Sequence, residues 1–380
     1  MKEKYFTIAK SISRWKIDSP LENWLAQRAD HSDWWKSLYV LYYRLLDTAY
    51  YRKGLPLMNR EIAKHADNKE CRLNKKQLRK DMTYSLHRFG ATFEDYFLYR
   101  FYERNAEERA QFNTLKMQYG YCELVNSPNI RQLFEDKGAC YKTFQRFYKR
   151  DLMEINGESD IETFREFVKK HPSFICKPTQ GHSGQGIRIY HDIRHEDSDT
   201  LAAIARNVNW KFVVEELISQ ADEMKKLHPE SINTLRLATF TVNGNVTIFG
   251  ASLRTGQGTS NVDNAGTGGV YATVDEQNGT VISDGCDDTG RLYTKHPDSQ
   301  IMFRGFTIPQ WEKAVELTKE MALTVEGAIM IAWDLAFSTK GWLMIEGNDV
   351  GGHHSFQAPL QRPIKPRIIN LIDEYYKYIS

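Results

Sequence analysis

The chain is poor in cysteine, lacks any long apolar run and has almost no net charge, and each shortage removes a class of protein. Its five cysteines, Cys71, Cys122, Cys140, Cys176 and Cys286, are odd in number and scattered, with no Cys-x-x-Cys spacing. That pattern excludes a disulfide framework and a cysteine-based zinc site, and it reads as reduced thiols of a cytoplasmic protein. No stretch approaches the roughly 18 uninterrupted apolar residues of a membrane-crossing helix, so no membrane span is expected. The opening MKEKYFTIAKSISRWK has no apolar core of signal-peptide length. Lysine and arginine number 51 against 49 aspartates and glutamates, so the net charge of +2 gives no electrostatic case for nucleic acid as partner. No internal repeat and no low-complexity tract is present.

What the chain does have is the composition of a soluble globular protein, 41% hydrophobic and 26% charged, over a length of 380 residues that suggests two or three domains. Residues 1 to about 120 have a helical pattern. Ser32 is placed to cap a helix starting at Asp33, on which Leu38, Leu41, Tyr42, Leu45, Leu46 and Ala49 recur at three-to-four spacing; Gly54 and Pro56 are expected to stop it. Phe93, Phe97 and Phe101 mark a second helix whose solvated end runs to Arg109. Lys75, Lys76, Arg79 and Lys80 form a basic cluster between the two and read as a solvated helix face.

From about Asn126 the texture changes. Helical patterns cover 129–150, with a break near Gly138, then 161–168 and 197–207; a strand is expected over Lys211–Leu217. TLRLATFTV and VTIFGASLR flank Asn243-Gly244, a strong hairpin signal, and VYATVD and TVISD flank Gln277-Asn278-Gly279. The fifteen-residue TGQGTSNVDNAGTGG between these hairpins is long enough to suggest a functional loop. A helix opened by Pro309, a hairpin of IMIAWDLAF and GWLMIEGN, and a helix from Lys365 to Tyr378 complete the chain.

Two stretches carry chemistry. FICKPTQGHSGQGIRIY, Phe174 to Tyr190, reads as strand, glycine loop, strand; it is either an ordinary hairpin or one whose backbone N–H groups fold over an anion while Lys177 adds a positive charge. In the last hairpin the turn near Thr339-Lys340 brings Asp334 within about one residue of opposite Glu346, and the two-residue period of a strand puts Asn348 on the face of Glu346. These are either surface acids on an edge hairpin or a hard-oxygen set suited to Mg²⁺; the apolar neighbours Trp333, Leu335, Met344 and Ile345 argue that the acids need a counter-charge or a metal. Arg236 and Arg254 fall nearly opposite one another on adjoining strands, an arrangement that calls for an anion between them. Glu215 and Glu216 end a strand where a hinge between lobes would lie, with Asp222 one short loop on. No protein nucleophile stands out. Cys176 has no neighbouring histidine, His182 is a phosphate contact or a surface residue, and the adjacent His353 and His354 make a poor zinc pair.

Taken in order, these elements resemble the ATP-grasp superfamily. The resemblance rests on KP-x-x-G-x-x-G-x-G-I at Lys177 to Ile187, VVEELI at Val213 to Ile218, and Asp334 with the E-x-N of Glu346 and Asn348. SINTLR at Ser231 to Arg236, LRTG at Leu253 to Gly256 and VDNAGTGG at Val262 to Gly269 are similar to the sugar-transfer-associated ATP-grasp group. The resemblance implies an α+β ATP-grasp fold: two lobes with antiparallel sheets enclosing ATP, preceded by a helical N-terminal region. The expected division is 1–125 helical, 126–212 first lobe, and 213–380 second lobe with the metal site. It further implies ATP and Mg²⁺ as cofactors. Lys177 and an upstream lysine, Lys137 with Lys142 as its rival, would contact the phosphates under a loop of Gly181, His182, Ser183, Gly184 and Gly186. Glu215, Glu216 and Leu217 would meet adenine and Asp222 the ribose; Asp334, Glu346 and Asn348 would hold Mg²⁺. Arg254 would face the transferring phosphoryl group and Arg236 the γ-phosphate or the acid, while Arg236, Asn264, Gly268 and Gly269 would help bind substrate.

The reaction so implied is ligation of a small-molecule carboxylate to an amine through an acylphosphate, in the setting of cell-surface polysaccharide or sugar-conjugate synthesis. The rivals are a kinase-like transfer to a hydroxyl and a non-catalytic nucleotide-binding scaffold.

Overall fold

The computed structural model describes residues 20–46, 50–179, 186–207, 209–259, 263 and 268–380. Among these, eleven strands form two sheets. β1 (Leu152–Ile155), β2 (Phe174–Pro178), β3 (Arg188–Tyr190) and β4 (Phe212–Glu216) make a four-stranded antiparallel sheet in the order β1-β4-β2-β3. The second sheet has seven strands in the order β11-β10-β5-β6-β7-β8-β9: β5 (Thr234–Val242), β6 (Asn245–Thr255), β7 (Val270–Thr273), β8 (Gly285–Cys286), β9 (Leu292–Tyr293), β10 (Met330–Ser338) and β11 (Gly341–Asn348). β4 belongs to the first sheet, so the expected boundary at 212/213 falls inside one of its strands.

Local chemistry explains the long hairpins. Asn243 (φ 49°) and Gly244 (φ 71°) are both left-handed, the tight turn whose twist matches its flanking strands, and they pair Val242 with Asn245. β5 and β10 are buried along nearly their whole length and each carries a single charged residue, Arg236 and Asp334. The main core joins the 128–135 and 137–148 helices and the Trp311–Ala322 helix to the second sheet, with Phe134, Phe144 and Trp333 in mutual ring contact. The C-terminal helix Lys365–Ile379 closes another cluster with Phe240, Phe249 and Met330. A third cluster, around Phe164, Phe174 and Phe212, backs the four-stranded sheet with the Ile161–Lys170 and Ser198–Asn207 helices.

Several expectations are corrected. The Asp33 helix is described over Asp33–Leu46, with Ala49 outside the described residues, and Pro56 belongs to the next helix, Leu55–Lys64, in whose first turn a missing N–H costs nothing. The 93–109 pattern is broken into Phe93–Leu98, a short turn at Phe101–Glu103 and Ala106–Gln111, because Arg100 is left-handed and Asn105 caps afresh with Glu108. Phe97 and Phe101 are still core. TVISD makes only isolated bridges, at Val281 with Val274 and Thr280 with Thr307, and β8 takes the pairing with β7. The short β1 was not apparent in the sequence. Among the described residues, no helix is long and apolar enough to cross a membrane.

After β11 the chain turns back so closely that a Cβ on Gly351 would stand 2.0 Å from that of Ala332 on β10. Gly351→Ala is therefore expected to destabilise the fold by about 1–3 kcal/mol, the usual cost of overpacking. An unchanged urea midpoint would contradict that packing.

Candidate functional site

On the four-stranded sheet, alternation divides β2 and β4 between two environments. Phe174, Cys176, Phe212 and Val214 enter the helix-covered core. The other face carries Lys177, paired across with Val213, and Glu215, paired with Ile175. Lys177 Nζ lies 2.8 Å from Glu215 Oε1. Arg150 holds the other oxygen, Nε and Nη2 donating to Oε2 at 3.1 and 2.6 Å. Burial opposes the charge of Glu215, but Lys177 and Arg150 outweigh it and bring its pKa down to about 2. The Glu215 carboxylate, expected near adenine, here balances two cations. Glu216 turns to the opposite side, accepting from the Asp151 N–H at 3.0 Å and pairing with Lys340 at 3.2 Å. Leu217 is half-buried and Asp222 is exposed at the start of the Asp222–Lys225 turn of helix.

The two candidate phosphate lysines separate clearly. Lys137 begins its helix with its N–H on the carbonyl of Thr179 at 3.2 Å, just after Lys177. Burial and the nearby charge of Lys177 lower its pKa, against the opposing pull of Glu346 and Glu215. Lys142 lies exposed on Glu154 at 2.9 Å. Only Lys137 shares the field of Lys177, Glu215 and Glu346.

On the seven-stranded sheet β10 lies between β5 and β11, so Asp334 faces Arg236 on one side and Glu346 on the other. Two β-bulges make this alignment. The β5–β6 register shifts between Ala238 and Thr239, giving Arg236 opposite Ser252 and Arg254 opposite Thr234. Arg254 is therefore two residues along from the position facing Arg236, and both point to one face; an unbulged hairpin would have set them on opposite faces. The β10–β11 register shifts between Asp334 and Leu335, and without that shift Asp334 would pair with Ile345.

Both guanidiniums grip the same carboxylate. Arg236 Nε and Nη2 donate to Asp334 Oδ1 and Oδ2 at 2.7 Å each, and Arg254 Nη1 donates to Oδ2 at 2.8 Å. The anion expected between the arginines is thus the protein's own Asp334. Burial works against its ionisation, but Arg236 and Arg254 hold its carboxyl below the ordinary range. Glu346 is affected in the reverse sense: burial and the adjacent Asp334 push its pKa up despite Lys177, Arg236 and Arg254. Asn348 Nδ2 approaches Glu346 Oε1 at 3.4 Å. Three oxygen-bearing side chains converge here, and Glu346 is a carboxyl that a cation would ionise. This donor set fits Mg²⁺, which takes one or two carboxylates and leaves positions for water and phosphate. A second acidic group, Asp151, His171 and Glu216, has ligand atoms within 4.8 Å of one another, but Lys170 and Lys340 already neutralise its acids.

Of the remaining expected positions, Gly181, His182, Ser183, Gly184 and Asn264 lie outside the described residues. Gly186 (φ 75°) stands close against Pro178. Gly268 (φ 96°) accepts from Gln257 Nε2 at 2.5 Å, and Gly269 is buried. Cys176 is buried, and its thiol pKa is pushed up to about 12, chiefly by burial. Two contributors were missed. Arg150 also donates to the carbonyl of Met344 on β11 at 2.7 Å, so it spans both sheets. His354 stands beside the arginines and is kept neutral, with burial, Arg236 and Arg254 lowering its pKa to about 3. An arginine between helix and strand has no local signature, and the doubled histidine drew attention only as a zinc pattern.

Residues 116–373 match the sequence profile of the family described as sugar-transfer associated ATP-grasp. No sequence among the curated proteins matches the chain. Among solved structures, the ATP-grasp ligase PsnB complexed with a minimal precursor is similar at 13% identity and a TM-score of 0.41, over 70% of this chain and 71% of that one. D-alanyl-alanine synthetase A from Vibrio cholerae is similar at 12% identity and 0.41, over 66% and 67%. A biotin carboxylase complex from Campylobacter jejuni is similar at 13% and 0.42, over 66% and 49%.

The raised pKa of Glu346 has a sign that can be measured. A carboxyl raised on folding contributes stability that is complete below its ordinary 4.5 and is lost as pH climbs through the raised value. In metal-free buffer, urea stability is expected to fall over that interval, and Glu346→Gln should flatten the fall. An equally steep pH dependence in the variant would contradict the assignment.

Proposed function

The chain belongs to the sugar-transfer associated ATP-grasp family, and from that membership we propose that it is an ATP- and Mg²⁺-dependent ligase joining a carboxylate to an amine. The observation that carries the proposal is the meeting of Lys137 and Lys177 with Glu346. Lys177 comes from the first sheet and Lys137 from the start of the Lys137–Tyr148 helix, and the charges of both interact with Glu346 of the oxygen-ligand set on the second sheet. In this reading the lobes meet after Glu216.

Lys137 and Lys177 bind the phosphates, Lys177 held in place by Glu215. Backbone groups at Glu216 and Leu217 take the adenine edge, and Asp222 takes the ribose. Asp334, Glu346 and Asn348 would hold Mg²⁺, which when bound supplies charge neutralisation for the triphosphate. A substrate carboxylate attacks the γ-phosphorus, the bond to the β,γ-bridging oxygen breaks, and acylphosphate and ADP result. The amine then attacks the acyl carbon, loses a proton and expels phosphate. Arg236 and Arg254 are well suited to the charge that gathers on the transferring oxygens, because Asp334 fixes both guanidiniums in advance. The route needs no protein nucleophile, in keeping with a buried Cys176. The family's description supports a sugar-linked acid or amine as substrate, and the loop ending at Gly268 and Gly269 would help select it.

The test is phosphate release from ATP and Mg²⁺ over a matrix of carboxylates and amines that includes sugar nucleotides. Release that requires both an acid and an amine, with no stable phosphorylated product, is expected; a stable phospho-product would replace ligation with phosphotransfer. Lys177→Ala should weaken ATP binding by about 1.5–3 kcal/mol, the scale of a charge-assisted hydrogen bond. Unchanged affinity would move the phosphate site elsewhere.

A further inference from the structure

The helix Asp33–Leu46 buries Tyr39, Val40 and Tyr43 and presents an apolar face to solvent. Trp34, Leu41 and Leu45 are 63%, 52% and 75% exposed. With the half-buried Leu38 they fall at i, i+4, i+7 and i+11, along one side of the helix. Leu21 and Trp24 are also exposed close by, and the rings of Trp24 and Trp34 both meet Trp35 edge-on. The catalytic reading gives this surface no task.

Charge indicates what covers it. The chain is nearly neutral as a whole, but residues 1–80 hold eighteen lysines and arginines against nine acids, and the other 300 residues hold 33 against 40. Among the described residues, several of these basic groups lie on the same helices and their neighbours. Lys80 reaches Asp33 at 2.6 Å, Arg28 stacks 3.9 Å above the Trp24 ring, and Arg52, Lys53, Lys75 and Lys76 are exposed. Tryptophan and leucine on one face with flanking lysine and arginine is the pattern of a helix lying in a membrane interface. A second copy docked face to face would bring two strongly positive regions together. We propose that the N-terminal helical region seats this face on the surface of an anionic lipid bilayer. Trp34, Leu38, Leu41 and Leu45 enter the headgroup boundary, and the neighbouring basic residues meet lipid phosphates. The inference is independent of the ligase reading.

The experiment is flotation of the full chain with vesicles of phosphatidylcholine containing phosphatidylglycerol, and with vesicles of phosphatidylcholine alone. Binding to the anionic vesicles is expected, with a blue shift of tryptophan fluorescence and weakening in high salt. The Leu41→Ser, Leu45→Ser double variant should bind at least about tenfold more weakly, since affinity follows buried apolar area. It should keep its circular dichroism and any ATP turnover of the parent. Lys75→Glu with Lys76→Glu, both in the first turn of a helix that tolerates acids, should weaken binding and reduce its salt dependence. Failure of the parent chain to float with anionic vesicles overturns the proposal, as does equal binding by the leucine variant. Binding to neutral vesicles as tightly as to anionic ones overturns the charge argument. A dimer that the leucine variant dissolves, with no vesicle binding, assigns the face to a second copy instead.

Discussion

A buried negative charge at Asp334 is the constraint on which the candidate site depends. A carboxylate on an apolar strand, 2% exposed, is costly unless neutralised and hydrogen-bonded, and Arg236 and Arg254 do both. Once Asp334 is ionised, Glu346 beside it cannot ionise cheaply, so the pair holds one settled charge and one that awaits a cation. That asymmetry follows from strand order and two bulges. β10 had to lie between the strand bearing Arg236 and the strand bearing Glu346, and each bulge had to move one partner onto the shared face.

The first sheet repeats the same solution, a buried acid between two cations. Glu215 is the buried acid between Lys177 and Arg150, and it fixes the lysine by a direct ion pair. Arg150 extends the arrangement across the molecule, because its remaining nitrogen reaches Met344, two residues before Glu346 on β11. A single guanidinium therefore connects β4, through Glu215, to β11, which carries Glu346 and Asn348. Movement of one sheet against the other must break or carry that link.

The sequence made much of this legible where the signal is local. Asn243-Gly244 set the β5–β6 hairpin, the Ser338–Gly341 turn set β10 against β11, and strand alternation set Asn348 with Glu346. What it did not reveal depends on partners far along the chain. The expected anion between Arg236 and Arg254 is Asp334, some 98 and 80 residues away. Arg150 and Glu215 are 65 apart, and neither carries a mark of the other. Bulges leave almost no trace in composition, so the arginines could be placed on adjoining strands but not in register. The four residues of β1 are too few for a period, and the 93–109 helix failed because Arg100 and Asn105 interrupt an aromatic stripe that remains buried.

The decisive question is whether Glu346 belongs to a cation site beside bound nucleotide. The direct measurement is calorimetric titration of ATP into the chain with and without Mg²⁺, in the parent and in Glu346→Gln. Mg²⁺ is expected to strengthen ATP binding in the parent and to lose most of that effect in the variant, while metal-free affinity is kept. An equal Mg²⁺ effect in both proteins would contradict it.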